Sequence, residues 1–200
     1  MRISQKQYIN KSISTNNNSK SIVPWEFKNS NDISNGYSQS KNLSLFNGVS
    51  EEMDCGGNST FDRAYFLLSN PINSSVNIYV KNSIISNHSP NAIITNIYYC
   101  VDDIVGTFKS SDYISITNSN SSGTIPYGKI FFGNDLDKIY GIYGQNITVP
   151  PYGTHVSSEN GSIILSPGFS YLFEIFPTNK EFVSNFVMSF SWWEEMLNHY

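Results

Sequence analysis

The chain predicts an all-β protein, an antiparallel β-sandwich or jelly-roll-like domain of about eight to ten short strands behind a flexible N-terminal leader. Three observations carry this. Residues 185–193 alternate, with Phe186, Met188, Phe190 and Trp192 on one side and mostly small polar residues on the other. Short β-branched and aromatic runs recur from about residue 60, each bounded by Asn, Pro, Gly or Ser. No helical period lasts more than two turns before the last few residues.

Residues 1–58 read as the leader. Lys, Asn and Ser dominate, and Ile22, Val23, Trp25, Phe27, Leu43, Leu45 and Phe46 come in clumps without a sustained period. Such a stretch buries too little apolar surface to offset its conformational entropy. Trp25 and Phe27, just after Pro24, are the candidate anchor to a partner or a neighbouring subunit. Cys55 sits in a Gly-rich stretch, 54–58, read as mobile, where a bridge to a second chain is as open as one to Cys100.

The domain reading covers 59–200. Phe61 to Leu68 is apolar and stops at Asn70-Pro71, and Asn73-Ser74-Ser75 supplies a turn. Val76, Ile78 and Val80 alternate with Asn77, Tyr79 and Lys81, the pattern of a half-buried strand. Ala92 to Cys100 is apolar or aromatic on both faces and is placed centrally. Tyr113 to Thr117 is a short edge candidate, and 118–123 a polar loop. Lys129 to Phe132, Ile139 to Tyr143 and Ile147 to Val149 read as three separate strands, closed by Pro150-Pro151. Ser162 to Leu165 and Phe169 to Phe176 flank a Ser166-Pro167-Gly168 turn. Phe182 to Trp193 ends the domain, with Trp192 expected in the core and Trp193 presented outward.

Composition narrows the function classes. Net charge is −4, and 14% of residues are charged, against roughly 25% in an average globular chain. Only 12 residues are Lys or Arg, and they are scattered, so nucleic acid is not the expected partner. No stretch approaches the roughly 18 apolar residues of a membrane span. The first residues lack an apolar signal-peptide segment, so synthesis in the cytoplasm, followed by retention there or release by lysis, is expected. Two cysteines in such a setting read as free thiols.

Three stretches resemble an uncharacterised domain-of-unknown-function family from spore-forming Firmicutes, over residues from about 65 to 195. They are Leu68 to Val80 with its Asn70-Pro71 break, Gly161 to Gly168 with its Pro-Gly turn, and the closing Ser191-Trp192-Trp193-Glu194-Glu195. The last is the most specific; this chain has Ser191 where the resemblance leads one to expect Gly. The resemblance implies an all-β fold and a bacterial origin but no activity. The host type extends it to a role in a spore or cell-surface assembly.

Candidate chemistry is sparse. His88, His155 and His199 lack metal-ligand spacing, and neither Gly-x-Ser-x-Gly nor a phosphate loop occurs. Asp102-Asp103 and the acidic stretch 134–137 read as polar turns, not a calcium loop. Glu194 and Glu195, adjacent on a strand, point apart and do not flank one glycosidic bond; a solvated strand end, within reach of a hydrogen bond to an adjacent loop, is expected. No catalytic residue, metal or cofactor is assigned. The sequence therefore predicts a non-enzymatic structural or assembly protein, self-associating through a sheet face or edge or joining another structural protein. Trp193, Glu194, Glu195, Trp25, Phe27 and Cys55 are the interaction candidates. The alternative is a carbohydrate-binding module in which outward Tyr and Trp rings meet a glycan.

Overall fold

The computed structural model describes residues 45–57, 61–116 and 124–197, and all its regular structure is β. Ten strands follow in order: β1 Leu45–Val49, β2 Met53–Gly56, β3 Ala64–Ser69, β4 Val76–Asn87, β5 Ile93–Ser110, β6 Ile114–Ile116, β7 Lys129–Val149, β8 Thr154–Leu165, β9 Ser170–Pro177 and β10 Val183–Met196. They form two antiparallel sheets, a sandwich-like arrangement. The first has the order β6-β1-β10-β4-β8, with β2 also pairing β10. The second, β3-β7-β5-β9, closes on itself.

The core between the sheets follows the alternation of the strands. From β10, Phe186, Met188, Phe190 and Trp192 all point inward, each at most 1% exposed. Phe66 of β3 stacks on Phe190 across the gap, ring centroids 4.9 Å apart, and Phe173 of β9 meets the same ring at 5.2 Å. Val76, Ile78 and Val80 are buried as their spacing predicts. A bulge at Lys81 then shifts the register of β4 against both neighbours, so Ser83, Ile85 and Asn87 take the inward positions. Among the turns, Gly168 adopts a φ of 90° after Pro167, and Phe169 N–H donates to the Ser166 carbonyl at 3.1 Å. Asn70, fully buried, donates from Nδ2 to the carbonyls of Val76 and Leu165, tying the Asn-Pro break to the ends of two strands.

Two expectations change here. Residues 45–56, assigned to the leader, are β1 and β2 of the first sheet, so the folded part begins at least at Leu45 rather than at 59. Phe46, Gly48, Met53 and Cys55 are the inward residues, but each strand is too short, and too rich in Asn, Gly and acidic residues, to show a period. The three short strands expected between 129 and 149 are one continuous strand of 21 residues. Its partner β5 has 18 residues and carries Asp102-Asp103 inside it, not at a loop start.

The length of β5 and β7 has a consequence. The first residues of β7 pair with β3, the remainder with β5, and β5 also pairs β9. The closed sheet encloses a second cluster of residues facing away from the first sheet: Tyr65, Leu67, Val101 and Leu172, with Tyr98, Phe108, Phe131, Leu136 and Ile139 packed on them.

Candidate functional site

The closing motif is a structural corner. On a strand, Trp192 and Trp193 face opposite ways, and they do so here. Trp192 is fully buried against Phe46 of β1, whereas Trp193 lies half-buried on the outer face of the sheet. There it stacks on Tyr79 of β4, ring planes 5° apart and centroids 5.3 Å apart. Its six-membered ring also presses on Gly161, where an added Cβ would fall 2.4 Å from Trp193 Cη2. The indole expected to be on show is therefore largely covered by Tyr79 and the Gly161 turn.

Glu194 and Glu195 also part. Glu194 Oε1 accepts from Trp192 Nε1 at 3.0 Å and from Gly128 N–H at 2.8 Å, and its Oε2 accepts from Tyr127 N–H at 3.1 Å. It pins the chain just before β7 to the end of β10. Gly128 permits this approach, because a Cβ there would sit 2.9 Å from Trp192 Nε1. Glu195 lies on the opposite side, beside Tyr79; burial first, then the Glu195 carboxylate, holds the Tyr79 phenol above its ordinary pKa. The pair thus braces the fold, and the geometry offers no shared substrate position.

Cys55 differs from expectation. It is the third residue of β2, wholly buried, and its thiol is pushed up to about 12 by burial, with Asp54 and Asp62 adding to the shift. Gly56 and Gly57, the residues that suggested mobility, hold positive φ values of 80° and 66° in the turn that closes the strand. A sealed, protonated thiol bridges no second chain without opening the sheet. Cys55 and Cys100 are both free. Trp25, Phe27 and His199 lie outside the described residues. Among the described residues no group of three metal-ligating side chains occurs, and no helix is long and apolar enough to cross a membrane.

Sequence reasoning missed a buried carboxylate. Glu174 of β9 is 3% exposed and faces the interior of the closed sheet. It accepts from Arg63, from Asn96 Nδ2 at 2.9 Å and from the Tyr98 hydroxyl at 3.1 Å. Asn146 of β7 in turn donates to Asn96 Oδ1 at 2.9 Å. Burial and the neighbouring Glu174 carboxylate push the Tyr98 phenol up to about 12; the Glu174 hydrogen bond and charge hold Arg63 above its usual value. Every partner comes from the chain itself, so this is an internal ion pair. The one cue was a lone Glu inside the apolar run 169–176.

The remaining feature is the rim. Among the described residues, the stretch of β7 from Asn134 to Val149 pairs only with β5, which leaves one backbone edge unpaired. From Ile139 to Val149 this edge holds no charged residue. Tyr140, Ile142 and Tyr143 on it are 42%, 53% and 54% exposed. Its register with β5 is unbroken from Gln145 to Val149. The other edges among the described residues are short or interrupted: β2 has four residues, β6 three, and residues 159–162 of β8 leave their ladder.

No curated protein and no solved structure matches the chain. One family match, described as a family of unknown function (DUF6143), spans residues 25–199. It takes in all ten strands and begins at Trp25, and on its extent the chain belongs to this DUF6143 family.

Proposed function

We propose that this is a non-enzymatic assembly protein that self-associates by pairing the open edge of β7 with the same edge of a second copy. The observation that carries this is the uncharged run Ile139–Val149, unpaired on one side among the described residues and containing exposed Tyr140, Ile142 and Tyr143. Natural sheets guard such edges with Lys, Pro, bulges or short length. Bulges guard this edge only near Gly141 and Gly144, where the register with β5 shifts. An edge-to-edge pair is antiparallel and two-fold symmetric, the commonest symmetry of homo-oligomers. Trp25 and Phe27, which the family match includes, are proposed as a second contact with the neighbouring copy. The proposed setting, a spore or cell-surface assembly, rests on the resemblance alone. A glycan-binding reading is weaker, because Tyr79 and Trp193 cover one another instead of offering an open ring face.

Size-exclusion chromatography with light scattering tests the proposal on the full chain. The expected result is a concentration-dependent dimer or larger species. A strict monomer at the highest attainable concentration would overturn it.

A further inference from the structure

A cleft of about 230 Å³ opens between the two sheets, lined by Tyr99 and Cys100 of β5, Ile142 of β7, and Glu159, Ile163 and Leu165 of β8. Two backbone distortions line it from opposite sides. On β8, Val80 pairs Ile163 but Asn82 pairs Ser158, so residues 159–162 bulge out of the ladder. Asn160 and Gly161 take φ values of 50° and 81°, and Ser162 Oγ closes the loop on the Glu159 carbonyl at 2.7 Å. On β5, the register breaks between Tyr99 and Asp103, and Cys100 sits at a φ of 52°. A non-glycine residue in that region is strained and persists where surrounding structure enforces it. Without the β8 bulge, Glu159 would be one more residue of an edge strand; with it, the carboxylate lines the cleft.

The chemistry of the lining is one-sided. Glu159 Oε1 accepts from the Ser157 hydroxyl at 2.5 Å and from the Tyr171 hydroxyl at 3.3 Å. Both donors are neutral. The ion pairs among the described residues join Arg63 to Glu174, His88 to Glu52 and Lys180 to Asp62, so none neutralises Glu159. Its Oε2 has no hydrogen bond to a described residue. Apart from Ser162 and Cys100, the remaining walls are apolar or aromatic: Ile163 is half-buried, Leu165 is 2% exposed, and Ile142, 53% exposed, stands at the mouth. Among the described residues no Lys or Arg lines the cleft. An apolar cavity with one orienting charge is the usual construction of a small-ligand site.

We infer that this cleft binds a small organic cation, a primary ammonium group carried on an apolar chain, with Glu159 Oε2 as its counter-ion. The ammonium donates to Oε2 while Oε1 stays held by Ser157 and Tyr171. The apolar chain lies along Ile163, Leu165 and Ile142. The carboxylate, half-buried and without an ion-pair partner among the described residues, gains a charge-assisted hydrogen bond on binding. This site does not depend on the β7 edge as an assembly surface, since only Ile142 belongs to both.

Amide chemical-shift mapping on the isotope-labelled full chain tests it, with hexylammonium, hexan-1-ol and hexanoate as probes. Hexylammonium is expected to move the amides of Tyr99, Cys100 and 162–165 in a saturable manner. Hexan-1-ol should bind about tenfold more weakly and hexanoate more weakly still. Glu159→Gln should erase the preference of the cation over the alcohol. Ile142→Trp, at an exposed position that tolerates a large ring, should block all three while leaving the rest of the spectrum in place. If Glu159→Gln does not fold, the ranking of probes on the natural chain and their loss in Ile142→Trp still decide. No movement at the cleft, equal binding of cation and alcohol, or undiminished binding in Ile142→Trp would overturn the assignment.

Discussion

Trp192 and Glu194, two residues apart on one strand, hold each other: the buried indole donates its N–H to the carboxylate at 3.0 Å, and the same carboxylate receives the backbone N–H groups of Tyr127 and Gly128. The largest side chain of the core thus has its single polar atom satisfied at the rim of the sandwich. An indole N–H in a core demands a partner, and the motif supplies one from its own strand. The same alternation sends Trp193 to the other face, where it is braced rather than buried. The two indoles therefore differ in energetic role.

Trp192→Ala should cost about 3–5 kcal/mol, the range for emptying a large aromatic site in a core. Trp193→Ala should cost roughly 1–2 kcal/mol, since it removes a half-buried ring and one stacking contact worth about 0.5–1.5 kcal/mol. Urea unfolding followed by circular dichroism measures both. Equal losses would contradict the assignment of one ring to the core and one to the outer face.

Glu194→Ala should destabilise by about 1–3 kcal/mol, because it leaves the Trp192 N–H without its acceptor and releases the chain before β7. Glu194→Gln keeps one acceptor oxygen and should recover part of the loss. Hydrogen exchange at Tyr127 and Gly128 amides gives the local readout: both should exchange faster in Glu194→Ala. Unchanged protection there would remove the brace from the account.

Where a local pattern acts alone, the sequence was readable. The β10 face, the first half of β4, the edge position of β6 and the Ser166-Pro167-Gly168 turn all follow from alternation and turn chemistry. It was opaque where register shifts. The bulge at Lys81 inverts the inward phase of β4 within one residue, and the bulges of β5 and β7 made one long strand read as three. β1 and β2 were illegible because Gly48 fills an inward position, where an added Cβ would lie 2.5 Å from Ile130 Cγ1. In the closing motif, the parting of Glu194 from Glu195 was legible from strand geometry. The carboxylate partners Tyr127 and Gly128, and the Glu174 and Glu159 sites, arise from long-range pairing that no local window contains.

Gly161→Ala should destabilise by about 1–3 kcal/mol. The position needs a φ of 81°, which a side chain disfavours, and the new methyl would meet Trp193. In the background of Trp193→Ala the steric part vanishes and the backbone part remains. The double mutant should therefore be more stable than the two single losses summed, a coupling that a double-mutant cycle reads directly. Simple additivity would mean that Trp193 does not rest on Gly161.

Alkaline pH should unfold this protein early. Cys55 rises from 9.0 to about 12 and Tyr98 from 10.0 to about 12, and Tyr99 and Tyr171 rise with them, in each case chiefly through burial. Between pH 9 and 12 the folded chain therefore holds protons that the unfolded chain releases. By linkage, stability is complete below about pH 9 and falls as pH climbs toward 12. The thermal midpoint should drop through that window, and tyrosinate absorbance at 295 nm should rise cooperatively with loss of structure. A midpoint flat from pH 8 to 11.5 would contradict the buried placement of these groups.

Removing Arg63 should expose the cost of burying Glu174. Arg63 is 56% exposed, so solvent screens its side of the pair; Glu174, at 3%, has no such relief. Arg63→Ala should cost about 1–3 kcal/mol, with Asn96 and Tyr98 still serving the carboxylate. Adding Glu174→Gln to that variant removes the orphaned charge while keeping an amide oxygen for Asn96 and Tyr98. The double variant should thus regain part of the loss.

Charge on the β7 edge should separate copies of the chain without harming the fold. Gln145 and Thr148 are exposed and lie in the stretch where the β5 ladder is unbroken. Lysines there leave pairing with β5 intact. When two such edges approach antiparallel, however, like charges meet across the new ladder, and like charges opposite one another oppose pairing. The Gln145→Lys, Thr148→Lys double variant should keep its thermal midpoint within about 2–4 °C, as surface changes do, and should run as a monomer where the natural chain self-associates. Salt should partly restore its association as screening shortens the repulsion. A double variant that assembles as fully as the natural chain at low ionic strength would move the contact away from β7.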